Sequence, residues 1–303
     1  MKEIKRFSRV QIWVHTLLGL SVMVLLLTGL PITFSDQLGW FMSLIGGPGI
    51  TMLLHRLAAW MLIFTATFIG VHFILTRTLL RRGEEVLFTL KDLRDAILDM
   101  KYALGLTDEP PKIGKYDWIR KMNMAGVTFF VILMAATGLM LWFPLEVASS
   151  VSLTTIIAVR TVHAGLAIVF LLFLLAHTTS IHLRPDKFPM DMSIFTGYMT
   201  LEDAKKEFPL WVEKMDLEAG DGGSVVKSQK NSLYYRLWVG AVAVSFLTLV
   251  IGSLRLRSEG LAGLRLIDAG AWATVGLSTA LGLTLLYLGA MIYGQAKGLG
   301  RKS

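Results

Sequence analysis

The chain contains no cysteine. That absence excludes disulfides, covalently attached c-type haem, and iron–sulfur clusters held by thiolates of this chain. Any redox chemistry must therefore use a cofactor held by other ligands. Cations are missing from two long stretches: no Lys or Arg falls between Arg9 and Arg56, and none between Lys121 and Arg160. No glycine-rich strand–turn–helix fingerprint is present, which counts against a reductase fed by a soluble nucleotide donor.

What fills the gaps is apolar. Of 303 residues, 54% are hydrophobic and the mean hydropathy is +0.59, too apolar for an ordinary soluble domain of this size. Six segments are long enough to cross about 30 Å of hydrocarbon: 11–33, 52–75, 122–143, 156–181, 233–254 and 270–293. The first has a basic start and no small-residue cleavage site, so it reads as a retained helix. Lys2, Lys5, Arg6 and Arg9 precede it, and the segments 76–121 and 183–232 are rich in Lys and Arg, whereas 34–51 and 144–155 have none. The positive-inside rule then places both termini in the cytoplasm; Arg255, Arg257 and Arg265 fit that scheme less well. The net charge of +8 follows from this topology and gives no argument for nucleic acid.

The expected class is an all-α integral membrane protein. A four-helix core occupies residues 1–215, a linker containing "EAGDGG" covers 216–232, and a two-helix appendage covers 233–303. In the loop 76–121, Leu87, Leu90, Leu93, Ile97 and Met100 recur at helical spacing with charges between them, the pattern of an amphipathic helix at the membrane interface. "TLEDAKKEF" carries a capping pattern from Thr200 to Asp203. The first and third spans share a phrase, "LLLTGLPITF" and "AATGLMLWFP", each with Thr-Gly and a following proline. Small residues there let helices, or a flat ligand, approach closely.

The six histidines, His15, His55, His72, His163, His177 and His182, all fall in or at the edge of the first, second and fourth spans. Imidazoles inside a bilayer are costly and usually functional. His163 and His177 are fourteen residues apart with only apolar residues and Gly between them. At about 100° and about 1.5 Å per residue they share a face and stand about 21 Å apart. Topology puts His163 and His55 in the outer leaflet, His177 and His15 in the inner one. Each pair offers two axial nitrogens, as six-coordinate haem b requires. The same residues could instead form a proton relay in a transporter without haem. His72 and His182 fall near the cytoplasmic interface, where a histidine is cheap to solvate; a structural role or a haem-propionate contact is expected of them.

The combination "FSRVQIWVHTLLGLSVMVLLLTGLP", "LLHR", "GKYDWIRKMNMAGVTFFVILMAATGLMLW", the His163–His177 pair and "HLRPDKFPMDMSIFTGYMTLEDAKKEFPLW" resembles the di-haem cytochrome b subunits typified by the formate dehydrogenase gamma subunit, with relatives in hydrogenase and thiosulfate reductase complexes. The resemblance covers roughly residues 5–215. It implies two b haems, with His55 and His163 on the outer iron and His15 and His177 on the inner one. It implies a bacterial or archaeal cytoplasmic membrane and a periplasmic iron–sulfur or multihaem cytochrome c partner that handles the primary substrate. It also implies a menaquinone or ubiquinone site beside the inner haem, at the start of the third span. Where such subunits typically read Lys-Tyr-Asn-Ala-Gly-Gln-Lys, this chain has Lys115, Tyr116, Asp117, Trp118, Ile119, Arg120 and Lys121. Asp117 and Lys121, with His72 and His182, are the candidate quinone or propionate contacts; Asp117 could equally be a helix-start charge paired with Arg120 or Lys121. The last two spans depart from the resemblance, contain no histidine, and are expected to serve packing, lipid or subunit contacts.

Overall fold

The computed structural model describes residues 2–78, 86–184, 187, 190–215 and 269–299. The helices are α1 (Arg9–Thr33), α2 (Ser35–Ile45), α3 (Gly47–Thr78), α4 (Leu90–Ala103), α5 (Trp118–Trp142), α6 (Pro144–Ala148), α7 (Leu153–His177), α8 (Ser193–Thr196), α9 (Leu201–Glu207), α10 (Pro209–Lys214) and α11 (Ala269–Leu299). Among the described residues, five helices are long and apolar enough to cross a membrane: α1, α3, α5, α7 with the turn that follows it, and α11. The segment 233–254 and the linker 216–232 lie outside the described residues. The protein is an all-α integral membrane protein of the multi-pass kind.

The long helices start where the sequence supplies acceptors for their free N–H groups. Ser8 and Gln11 form a reciprocal capping box at α1, Asp117 caps α5 through Arg120 N at 2.7 Å, and Ser152 caps α7 through Thr155 N at 3.2 Å. Their apolar side chains run all round the axis, as in helices buried in lipid. Phe64, Phe129, Ile132 and Val169 point outward from the bundle. In α2, which occupies the stretch expected as a loop at 34–51, Leu38, Phe41 and Met42 are buried while Trp40 and Leu44 stay exposed.

α1 packs along α3 and α5 along α7, and α1 also touches α7. α11 lies antiparallel against α1: Gly276 meets Leu30, and Tyr287 meets Gly19. Ala273, Leu277, Ala280 and Leu283 of α11 share one apolar core with Val22, Met23, Leu26 and Leu30 of α1. Half of the most apolar window of α11 is buried, against 28% for α1 and 6% for α5. The packing role expected of the last span is thus played against the first helix. The chain reaches Met215 on the side of Arg6 and His15, and Ala269 begins on the side of Leu30.

At the His15 end a small polar platform closes the bundle. The strands Glu3–Lys5 and Tyr198–Thr200 pair antiparallel. Behind them Ile4, Met199, Ala204, Phe208 and Val212 form a second core. Thr200 caps α9 as its sequence pattern predicts, accepting from Asp203 N at 3.0 Å. The amphipathic helix is α4, with Leu90, Leu93, Ile97 and Met100 exposed along one face. Its Asp92 reaches Lys121 of α5 at 2.8 Å, and both side chains are buried.

Candidate functional site

The shared Thr-Gly phrases mark the first site. Thr28 Oγ1 of α1 lies 2.9 Å from Nδ1 of His55 on α3. Thr137 Oγ1 of α5 lies 2.8 Å from Nδ1 of His163 on α7. The tautomers follow from donor arithmetic. A hydroxyl has one proton. Thr28 gives its proton to Val24 O at 2.6 Å, and Thr137 gives its own to Leu133 O at 2.8 Å. Each threonine oxygen must then accept from the imidazole, so Nδ1 carries the hydrogen and Nε2 keeps its lone pair. The neighbouring glycines make the approach possible. A Cβ on Gly29 would stand 3.1 Å from His55 Cε1, and one on Gly138 would stand 3.2 Å from His163 Cε1. The phrases are therefore two matched histidine seats on matched helix pairs, beyond the ordinary packing that small residues suggest.

The second site sits at the His15 end. His15, His177 and His182 each place a ring nitrogen within 4.8 Å of the other two. Metal–imidazole bonds of about 2 Å allow one ion between two of them. His177 is seated like His55 and His163. Its Nδ1 lies 3.1 Å from Asn123 Oδ1, and Asn123 orients its amide by donating Nδ2 to Ile119 O at 2.9 Å. Asn123 and Thr137 are fourteen residues apart on α5, matching the fourteen between His163 and His177 on antiparallel α7, so one helix face seats both rings.

His182, expected near the interface in a structural or propionate role, is buried at 6% exposure. A π-helical turn, Thr178–His182, follows α7. In an α-helix a residue five positions on from His177 would face away by about 140°. The wider turn, closed by Leu183 N on Thr178 O at 2.9 Å, brings the His182 ring to 5.3 Å from that of His177 and 5.8 Å from that of His15. Such turns recur at functional sites, and nothing in the residue types of "HTTSIH" announces one. His72 is exposed and stacks on Phe68; it is not a member of the three-histidine cluster.

Asp117 and Lys121 are both engaged. Asp117 caps α5 and forms an ion pair with Arg120, and its side chain is largely buried. Lys121 holds Asp92. Arg6 and Arg120 lie over the Phe208 ring at 4.2 and 4.9 Å. Burial, and next to it the charge of Arg120, pulls the Arg6 guanidinium down to about 10. Asp191 is held below the usual carboxylate range: burial alone would raise it, but Arg6 at 3.8 Å and hydrogen bonds from Ser193 outweigh that. Buried polar atoms without a hydrogen-bond partner are rare. Among the described residues they include His15 Nδ1, His182 Nδ1, Arg6 Nε and Arg120 Nη2, all on the N-terminal side of the bundle.

Membrane helices that present paired imidazoles with a ligating nitrogen left free define the integral-membrane b-type cytochromes. The model of the prokaryotic cytochrome b561 family matches residues 6–185, more than half of the chain, and the chain belongs to that family. Membrane electron transfer through haem b is the activity this membership carries. No curated protein matches the chain.

Proposed function

We propose that this chain is the quinone-linked membrane subunit of an oxidoreductase complex, similar to formate dehydrogenase gamma subunits, and that it holds two b haems. His55 and His163 would be the axial ligands of one, His15 and His177 of the other. Bound haem supplies a one-electron carrier at each level. The observation that carries the reading is the seating of three imidazoles by Thr28, Thr137 and Asn123, each leaving Nε2 unprotonated. A neutral histidine oriented by its other nitrogen is how proteins prepare a metal ligand, and it is not what a relay needs, since a relay must exchange both ring protons.

Distribution of Lys and Arg supports an N-terminal face in the cytoplasm, so the His55–His163 level would serve a periplasmic iron–sulfur or multihaem cytochrome c partner. The His15–His177 level would serve menaquinone or ubiquinone at the start of α5. There Asp117, Arg120, Lys121 and His182 provide polar contacts at an apolar boundary. Arg6 Nε and Arg120 Nη2 would donate to propionate carboxylates on that side.

Reduced-minus-oxidised spectra with haem quantified per chain test the reading. We expect two b haems, with His55→Ala or His163→Ala losing one species and His15→Ala or His177→Ala losing the other. Two haems retained in each of the four variants would overturn the ligand assignment.

A further inference from the structure

The four proposed ligands are not held alike. His55, His163 and His177 each have a hydrogen-bonded seat, whereas His15 Nδ1 has no partner among the described residues. Its ring is oriented by walls. Phe195 stands edge-on at 5.5 Å and 88°, and Tyr287 lies tilted at 5.9 Å and 34°. Tyr287 also donates its hydroxyl to His15 O at 2.8 Å, with Thr16 O at 3.2 Å. Gly19 makes this possible: a Cβ there would fall 2.3 Å from Tyr287 Cζ. Phe195 is itself wedged by α11, since a Cβ on Gly294 would lie 2.7 Å from Phe195 Cβ. Phe195 and Tyr287 both lie beyond residue 185, where the family match ends.

We propose that Tyr287 of α11, backed by Phe195, is the positioning residue for His15, so that the C-terminal helix completes the inner site by supplying the orientation that a threonine or asparagine supplies elsewhere. This rests on the reading of His15 as a haem ligand. A phenol bonded to the backbone beside the ligand fixes where α1 presents the ring. The ring of Tyr287 then restricts rotation of an imidazole whose Nδ1 has no hydrogen-bond partner among the described residues. Burial of the hydroxyl in an apolar helix interface leaves it no better acceptor than these carbonyls.

The test uses the full-length holoprotein with three readouts: haem per chain, midpoint potential of each haem, and the low-spin electron paramagnetic resonance signal, which responds to the relative orientation of the axial rings. Tyr287→Phe removes only the hydroxyl, and Gly19→Ala displaces the ring from the opposite helix. We expect each to weaken inner-haem retention roughly 10-fold, the scale of lost outer-shell support. Each should also move the inner haem's signal and potential while the outer haem keeps its own. His15→Ala is run beside them. If it leaves two haems bound, the ligand reading fails and this inference with it. If it removes the inner haem while Tyr287→Phe and Gly19→Ala leave signal, potential and retention as in wild type, the ligand reading stands and the role of Tyr287 is overturned. A purely structural α11 would lower thermal stability without moving the inner signal selectively, and that result also overturns the proposal.

Discussion

Thr137→Val is close to isosteric and removes one oxygen. In the native chain that oxygen accepts the Nδ1 hydrogen of His163 at 2.8 Å. In the variant a buried donor has no partner in the required tautomer, which costs about 1–3 kcal/mol. The ring can escape by rotating or by moving its proton to Nε2, and either change removes the ligating lone pair. Binding must then reverse that escape. Loss of such support lowers metal affinity roughly 10–100-fold, or about 1.4–2.8 kcal/mol, so two independent estimates agree. Thr28→Val should act in the same direction through His55, but less strongly, because that ring also hydrogen-bonds the Leu25 backbone. Both seats act on the proposed ligands of one iron, so their free energies are coupled and not additive, and the double variant should lose more of the outer haem than either single variant. Transfer of haem to an excess of a soluble apo-haem acceptor, followed by difference spectroscopy, measures this. The outer species should leave faster while the inner one keeps its rate. Wild-type retention of the outer haem in the double variant would refute the tautomer argument, and so would loss confined to the inner haem.

His182→Ala should keep both haems bound, because His177 already has the seated ring; loss of the inner haem in His182→Ala together with its retention in His177→Ala would exchange their roles. Lys121→Met leaves the Asp92 carboxylate buried and unpaired, a change that costs about 3–5 kcal/mol when a buried pair is broken, and hydrogen exchange across 90–103 should rise as α4 undocks. Burial would raise the Asp92 carboxyl, but hydrogen bonds from Lys121 and Thr89 outweigh it and hold it below its usual value. Its contribution is therefore present above the ordinary carboxylate range and is lost as pH falls through the lowered value; protection of α4 should fall with acid in wild type and be pH-independent in Asp92→Asn. Asp117→Asn keeps a good capping residue while removing the charge, so quinone turnover should slow with both haems retained, and unchanged quinone kinetics would move the quinone site away from the start of α5.

The membrane class and five of the six expected spans could be read from hydropathy because lipid imposes one simple rule on side chains; the sixth, 233–254, lies outside the described residues. Helix ends were read within a few residues, and the caps at Thr200 and Asp117 follow local chemistry that a sequence displays. The seats were half legible. Thr28-Gly29 and Thr137-Gly138 stood out as a repeated phrase, but their meaning needs His55 and His163 to arrive from neighbouring helices. Asn123 could have been found: it lies fourteen residues from Thr137, the same interval that separates the two histidines of α7. The approach of the His182 ring to those of His15 and His177 was not legible, because a five-residue offset means opposite faces on an α-helix and the π-helical turn that cancels it leaves no compositional mark. Tyr287 was beyond reach, since its partners are backbone carbonyls 271 and 272 positions away.

The two helix pairs, α1 with α3 and α5 with α7, obey one plan at the level of Thr28 and Thr137 and break it at the level of His15. At the first, α1 and α5 each give a Thr-Gly seat, and α3 and α7 each give a histidine. At the second, α5 still gives a seat, Asn123, and α7 still gives a histidine, His177. But α1 gives His15 itself, and a helix cannot both present a ring and reach round to hold its far nitrogen. The seat for His15 must come from a third element. The face of α1 away from α3 is where α11 packs, and Gly19, one turn beyond His15, is the position at which a large side chain can come in. A bundle of α1, α3, α5 and α7 alone would leave His15 without the wall that Tyr287 provides. α11 is also the described span with the largest buried share, as a helix packed against α1 at that face would be.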